Sequence, residues 1–483
     1  MAEFDGDSEP DAGFGDSTIT APINTLPNEL ITHIFTMGST SEPPRVYSRT
    51  NHSLPFPLLV SSISRRWRDT AISSVPLWSR LLFTADPLVD SWMSCLFLPR
   101  SGAHPLDIRI NLEHADRSAM ERVLEIILPH CERWRKLFII PWGVTDLAHT
   151  LRAFQDMSVP LLQQVEIFPY EAPYGDDKNI PVHTSHTPFF QLGAPALTSV
   201  ILRRICAECG PPLANLTAFV FDYKGTLSQQ HLQSIVAASP ALRVLRLRLR
   251  SFAGSGQGQI HIPSLRELSL NFGDCASDDD FLLLLSLTIA PDLESLEISS
   301  LADADAPRLL LNGTQFTCCP RLQTLKLSKL YDMTLSSYHA LFALFPTITS
   351  LTLLDGSLRP ALPQLPALKH ITYGQNPHYL TGSREEDRFV EWICGHVRGC
   401  HGTPQAMESV HTNRSAHKIR ETIGCFVDVV ELADGADSLR GCWDLEYEDG
   451  EIGSFASGSE DAQWDEDFYP GRGDDVEGIS DSD

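Results

Sequence analysis

The chain has 483 residues and a formal net charge of −25, from 62 acidic and 37 basic side chains. Residues 1–17 hold 6 acidic and no basic side chains, and residues 444–483 hold 15 acidic and 1 basic, so the two ends carry −20 of the charge. The body between them is nearly balanced. This balance argues against a protein whose main task is to bind nucleic acid through its phosphates.

Composition also argues against a membrane or exported protein. The longest uncharged apolar run covers residues 281–290, about half of the ~20 residues that a membrane-spanning helix needs. The first 20 residues are acidic and lack the basic and apolar regions of a secretory signal. Eleven cysteines at irregular spacing then predict reduced thiols and a cytoplasmic or nuclear location. Both ends, residues 1–20 and 444–483, have too few apolar side chains to offset the entropy of ordering, and we expect them to be disordered.

Two helices are predicted within residues 21–84. Pro27 suits the first turn of a helix. Its apolar residues recur at helical spacing and are Leu30, Ile31, Ile34 and Phe35. A second helix is expected to carry Leu59, Ile63, Trp67 and Ala71 on one side. Between them lies a polar, proline-rich insert, residues 36–57, which we expect to bulge outward because long loops are tolerated. A unit this small leaves apolar surface for a partner, or for capping a neighbouring domain.

The same stretch resembles the F-box. It contains the pattern L-P-x-E-L-x-x-x-I-F, then V-S-x-x-x-R-x-W-R-x-x-A, and it closes with Pro76-Leu77-Trp78. The matching positions of the two patterns are Leu26, Pro27, Glu29, Leu30, Ile34, Phe35, Val60, Ser61, Arg65, Trp67, Arg68 and Ala71. Residues 100–108 also resemble the segment that follows F-boxes in many fungal proteins.

The resemblance implies a function without bond chemistry. F-box proteins are substrate receptors of SCF-type cullin-RING ubiquitin ligases, in which the F-box docks on the Skp adaptor of a cullin scaffold and C-terminal repeats bind the substrate protein. Such a receptor contributes proximity and orientation. The residues that the resemblance assigns to the adaptor contact are Leu26, Pro27, Glu29, Leu30, Ile34, Phe35, Val60 and Trp67.

A repeated motif dominates the middle of the chain. Its template is P-x-L-x-x-L-x-L with aliphatic or aromatic substitutes, and ten copies begin 26 residues apart on average. Eight copies have the proline, and two keep only the apolar positions. The copies start at Glu132, Pro160, Pro195, Ala214, Pro240, Pro263, Pro291, Pro320, Pro346 and Pro366. The last two apolar residues of each copy alternate at period two, which predicts a short strand with one buried face. The proline ends the preceding helix and sets up the turn.

These copies resemble leucine-rich repeats. Helices are predicted at residues 277–290 and 335–345, so each repeat is a strand plus a return segment that is stable only when stacked. The predicted fold class is therefore α/β, with a helical F-box at residues 21–84, a linker and first strands at 85–131, and an irregular leucine-rich-repeat solenoid at 132–383. A capping segment at 384–443 would begin with a helix at 384–397 and include a strand or helix at 425–432. The alternative is a non-repetitive α/β domain with leucine-rich strands.

The side chains that alternate with the buried leucines form the candidate substrate face. Its charged members are Arg203, Arg246, Arg248, Glu267, Glu297 and Lys326. The three arginines are predicted to pair with carboxylates or phosphates of a substrate, or else to lie on an ordinary solvated strand face. The acidic C-terminal tail, with Asp465, Glu466, Asp467, Asp474 and Asp475, either folds back onto these arginines or serves only solubility.

Signals for other chemistry are weak. Cys206 and Cys209 form a single C-x-x-C, and Cys394, His396, Cys400 and His401 are a loose cluster without clear zinc spacing. Gly254, Gly256 and Gly258 lack the lysine of a phosphate-binding loop, and no hydrolase, metalloprotease or kinase motif is present. We expect no catalysis, no cofactor and no metal. A repeat scaffold that binds partners without a ligase is the alternative function, and the sequence does not identify the substrate.

Overall fold

A computed structural model describes most of the chain between residues 22 and 432. The described ranges are 22–41, 54–112, 117–141, 144–169, 188–206, 210–254, 258–271, 278–300, 319–330, 334–354, 365, 367–374, 383–403, 406–413 and 416–432. Both acidic ends, most of the predicted insert and Cys209 lie outside the described residues.

Helices lie at both ends of the described chain and between many of the strands. The α-helices are Asn28–Ser41 (α1), Phe56–Ile63 (α2), Arg65–Ser73 (α3), Pro87–Trp92 (α4), Leu98–Arg100 (α5), Arg117–Ile127 (α6), Val144–Ala153 (α7), Gln229–Ala238 (α8), Asp278–Leu287 (α9), Leu335–Ala343 (α10), Ser383–Cys400 (α11) and Ala416–Ile423 (α12). A π-helical turn, Met93–Phe97, joins α4 to α5, and 3-10 turns form Pro22–Thr25, Val75–Trp78 and Leu128–Arg133. No helix in these ranges is long and apolar enough to cross a membrane.

The strands are short and evenly distributed. They are Arg80–Phe83 (β1), Leu106–Asn111 (β2), Trp134–Ile140 (β3), Gln164–Ile167 (β4), Ser199–Arg203 (β5), Ala218–Ser228 (β6), Val244–Ala253 (β7), Ile260–His261 (β8), Glu267–Asn271 (β9), Thr288–Ile289 (β10), Ser295–Ser299 (β11), Thr324–Ser328 (β12), Ser350–Leu354 (β13), His370–Gly374 (β14), Ser409–Thr412 (β15) and Asp428–Glu431 (β16).

Fourteen of these strands form one parallel sheet whose order in space follows the order in sequence, and β8 and β10 form a separate parallel pair. Each strand of the large sheet therefore pairs only with the strands before and after it along the chain. Parallel neighbours need a crossover, and here each crossover returns the chain to the same edge of the growing sheet. The result is a mixed α/β fold of solenoid type, in which each unit buries its apolar face only against its neighbours.

All ten strands predicted from the repeated motif are present. The thirty apolar positions of the ten copies are each at most 4% exposed. Register explains this burial, because Leu268 lies beside Leu245 on one side and Leu296 on the other, so equivalent leucines form continuous rows. The alternation of apolar residues at period two was therefore sufficient to predict which side chains form the core of the sheet.

Four further strands extend the sheet beyond the repeats. β1 and β2 precede the first copy, and β1 belongs to the segment predicted to be the helical F-box. β15 and β16 follow the last copy, so residues 425–432 contain a strand and not a helix. The predicted helix at 384–397 is present as α11. The sheet thus runs from the end of the N-terminal helices almost to the end of the described chain.

The prediction of a single second helix in the N-terminal segment is wrong, because the structure has two helices there, α2 and α3. Ser64 has an extended backbone, with φ −154° and ψ 166°, and its side chain accepts a hydrogen bond from the backbone N–H of Trp67. This cap ends α2 and begins α3. The break turns Leu59 and Ile63 away from the side that Ala71 buries: both are exposed, whereas Ala71 is buried. The first helix also continues to Ser41, into the segment expected to be an insert.

Candidate functional site

The N-terminal helical unit, α1 to α3 with the turn Val75–Trp78, has a small aromatic core. Phe35 is 1% exposed, and its ring packs edge-on against Trp67, at 5.1 Å between centroids, and against Phe56, at 6.5 Å. Val60 is 3% exposed. At the other end of the unit, Trp78 is fully buried, and its indole N–H donates to the carbonyl oxygen of Ala71 at 2.7 Å. These contacts join the three helices to the first strand of the sheet.

Arg66 holds the beginning of α1 against α3. Its guanidinium donates to the carbonyl oxygen of Leu26 and to Oδ1 of Asn28, with Nε and Nη2 at 3.0 and 2.9 Å from that oxygen. At the other end of α1, Nη1 of Arg80 donates to the carbonyl oxygen of Ser39 at 2.6 Å. Charge-assisted hydrogen bonds of this kind orient a helix as well as stabilise it. The exposed side of α1 is therefore presented at a fixed angle.

That exposed side carries an apolar stripe. Leu30, Ile34 and Met37 follow one another at i, i+4 and i+7, so they share one face of α1, and they are 50%, 45% and 55% exposed. On α2, Leu59 and Ile63 are 48% and 57% exposed and also share a face. Single exposed apolar residues are ordinary, but five on two adjoining short helices are a feature of interaction surfaces. We call these five residues the apolar helical surface.

The structure divides the predicted adaptor-binding residues into two groups. Pro27, Glu29, Leu30 and Ile34 are exposed, and Leu26 and Trp67 are half-buried. Phe35 and Val60 are buried, so they pack beneath the surface and do not line it. Met37 is a member of the surface that the motif did not identify, although its helical spacing from Leu30 was a readable signal.

The predicted substrate face carries ion pairs between neighbouring strands. Arg203 lies 3.6 Å from a carboxylate oxygen of Glu166, and Arg248 lies 3.6 Å from one of Asp222. Arg246 lies 3.8 Å from a carboxylate oxygen of Glu267. The strand register is the cause, since it sets carboxylates on β4, β6 and β9 next to arginines on β5 and β7. The six groups are balanced in charge, which weakens the case for a phosphate-binding arginine cluster.

Burial differs along the same face. Arg203 is 8% exposed, and its guanidinium lies over the ring of Phe168, at 4.7 Å from the centroid. Glu297 is 9% exposed and lies in register with Lys326 on β12, which is half-buried. Arg246 is more accessible, with 34% of its side chain exposed. Arg203 and Glu297 are thus parts of the sheet's own structure, whereas Arg246, Arg248, Glu267 and Lys326 are better placed to meet a partner.

The side chains of the loose cysteine and histidine cluster do not converge on one point. Nε2 of His396 lies 3.9 Å from Sγ of Cys400, whereas His401 packs against Phe426, at 4.4 Å between ring centroids. Within the described ranges no three His, Cys, Asp or Glu side chains are arranged to hold a metal ion. Burial lowers the pKa of His396 and raises that of Cys394, as expected for groups on the inner side of a helix. Seven cysteines in this part of the chain carry free thiols.

No protein-family model matches the chain, and no curated protein is significantly similar to it. The functional interpretation consequently rests on the residues themselves and on where the fold places them.

Proposed function

We propose that the chain is a non-catalytic substrate receptor of an SCF-type ubiquitin ligase. In this proposal the N-terminal helical unit is an F-box that docks on the Skp adaptor and cullin scaffold, and the repeats bind the substrate protein in the cytoplasm or nucleus. The observation that carries the proposal is the apolar helical surface, because two of its residues, Leu30 and Ile34, belong to the F-box pattern. Pro27 and Glu29, two further residues of the pattern, are exposed beside it.

The packing of the unit supports this division of roles. Phe35 and Trp67, which also belong to the pattern, form the interior that holds α1 in place. The 3-10 turn and β1 then connect the unit directly to the parallel sheet, since β1 pairs with β2 over four residues. A partner held by α1 and α2 and a second partner held by the strands would be kept at a defined separation. Such proximity is the whole contribution of a substrate receptor.

Two exposed residues provide the test. The full-length tagged chain should capture a Skp adaptor and a cullin, and the Leu30→Asp, Ile34→Asp double variant should lose both. An apolar anchor at the centre of an interface is worth about 2 kcal/mol, roughly 30-fold in affinity, so the double variant should bind purified adaptor at least about 100-fold more weakly. Neither substitution enters the core, because both side chains are about half exposed.

Leu192→Asp is the matched control. Leu192 is 68% exposed and lies between β4 and β5, far along the chain from the helical unit. This variant should capture the adaptor as the wild type does. Met37→Asp tests the surface itself, since the motif does not include Met37, and it should weaken binding about 10-fold or more. If the wild type captures neither adaptor nor cullin, the ligase proposal is wrong and the chain is better regarded as a repeat scaffold.

A further inference from the structure

Ser409 lies between two histidines near the C-terminal end of the sheet. Its Oγ is 3.0 Å from Nδ1 of His370 and 3.1 Å from Nε2 of His411. The other ring nitrogen of His370, Nε2, lies 3.6 Å from Oε2 of Glu408. A hydroxyl, an imidazole and a carboxylate therefore follow one another in space, which is the order of a nucleophile, a base and the group that orients the base.

Strand register brings these residues together. His370 on β14 is directly opposite Ser409 on β15, and His411 is two residues after Ser409 and so shares its face. Backbone N–H groups of Glu408 and Ser409 both donate to the carbonyl oxygen of Lys369, at 2.7 and 3.1 Å. Strand pairing therefore positions these side chains, and strands hold side chains in place more precisely than loops do.

The chemistry of the neighbouring groups indicates which of them donates and which accepts each hydrogen bond. Nζ of Lys369 donates to Oε1 of Glu408 at 2.6 Å. That hydrogen bond and the charge of Lys369 lower the pKa of Glu408. An ionised carboxylate favours the tautomer of His370 with its proton on Nε2, so Nδ1 accepts the hydrogen bond from the Ser409 hydroxyl. The same Oγ lies within hydrogen-bond distance of Nε2 of His411, which donates to it in the tautomer with the proton on Nε2.

The cluster lies at a partly exposed position on the sheet. Ser409 and His411 are half-buried, and 45% of the His370 side chain is exposed. Ser350 is a contrasting serine on the same face. It is in register with His370 on the other side, on β13, but within the described residues it makes no side-chain hydrogen bond to that imidazole.

We propose that Ser409 is a nucleophile that accepts an acyl group from small activated esters, with His370 as its general base and Glu408 positioning His370. Ser409 Oγ attacks the ester carbonyl carbon while its proton passes to Nδ1 of His370. The new Oγ–C bond forms, the bond from that carbon to the alkoxy oxygen breaks, and His370 returns the proton to the departing oxygen. One ester and the serine thus give an acyl-serine and an alcohol.

Covalent labelling of the full-length chain tests the proposal. An alkyl fluorophosphonate should form one adduct per chain, with Ser409 Oγ displacing fluoride, and p-nitrophenyl acetate should release p-nitrophenol in a burst of one equivalent. Peptide mapping by mass spectrometry should place the adduct on Ser409. Ser409→Ala should abolish both signals, and the control Ser350→Ala should leave them unchanged.

Three further variants test the roles of the neighbours. His370→Asn should slow labelling about 100-fold, the usual contribution of a general base. Glu408→Gln should slow it about 10-fold and Glu408→Asp should restore part of the rate, whereas a merely structural role would not distinguish the two. Labelling that misses Ser409, or that is unaffected by His370→Asn, would overturn the proposal. Adaptor capture by the Ser409→Ala variant should be normal, so the outcome is independent of the ligase proposal.

Discussion

Gly38 on α1 lies against the ring of Phe56, the first residue of α2, so closely that a Cβ added to the glycine would be 2.5 Å from Cζ of the ring. Real Cβ contacts are longer than this, so any side chain at position 38 has to push the ring aside. The ring is itself packed edge-on against Phe35, at 6.5 Å between centroids. The glycine therefore sets how closely α1 and α2 approach.

Gly38→Ala should lower the free energy of unfolding of the N-terminal unit by about 1 kcal/mol. Overpacking costs about 1–3 kcal/mol, and the better helix propensity of alanine offsets up to about 1 kcal/mol. Gly395→Ala on α11 is the matched control, because nothing lies within 4 Å of the Cβ that it adds. That variant should gain up to about 1 kcal/mol. Urea denaturation of both variants measures the difference, and equal effects would contradict the assigned contact.

Arg66→Ala should loosen the start of α1. The substitution removes the hydrogen bonds to the Leu26 carbonyl oxygen and the Asn28 side chain and should cost about 1–2 kcal/mol. Because α1 presents Leu30 and Ile34, the adaptor binding proposed above should also weaken, by about 10-fold. Arg65→Ala is the comparison, since Arg65 is exposed and has no side-chain hydrogen bond among the described residues. Amide hydrogen exchange in residues 28–34 should speed up in the first variant only.

Asp90 should make the protein less stable as the pH rises. Its side chain is 5% exposed, and burial raises its pKa to about 6, with the Thr84 backbone and Arg122 acting in the opposite direction. The unfolded chain releases this proton near pH 4, whereas the folded chain keeps it to about pH 6. Between those values the folded state binds more protons, so the free energy of unfolding falls with increasing pH.

Asp90→Asn removes this titration. Relative to wild type, the variant should become more stable by about 2 kcal/mol between pH 4 and pH 7, measured by urea denaturation at each pH. Asp69→Asn, at an exposed position on α3, should show no comparable trend. A constant difference between Asp90→Asn and wild type across this range would show that the carboxyl group titrates normally.

Local patterns predicted most of the sheet. A strand with one buried face needs only alternating apolar residues, so ten strands were recognisable without knowledge of their neighbours. In eight of the ten copies a proline two residues before the first apolar position also marks the turn. β15 was not recognisable, because Ser409-Val-His-Thr412 has a single apolar residue that is buried. Its place in the sheet depends on hydrogen bonds to β14.

In the helical unit, the spacing of apolar residues along the chain does not determine which of them are buried or where each helix ends. Ile31 and Leu30 are adjacent and equally apolar, but Ile31 is 1% exposed and Leu30 is 50% exposed. Which of them is buried depends on how α3 packs across α1. The break at Ser64 was missed because the run from Leu59 to Ala71 fits one helix by spacing, whereas the cap at Trp67 favours two.

By itself, the sequence determined the repeat, the strand positions, the buried rows of leucine and the charge imbalance of the two ends, since these depend on composition and on spacing along the chain. Only the tertiary structure decided which apolar residues of α1 remain exposed, how Glu166, Asp222 and Glu267 pair with the arginines, and that Ser409 meets a histidine 39 residues earlier. These relationships depend on strand register and helix packing, which are set by many weak contacts acting together, so no single stretch of sequence encodes them.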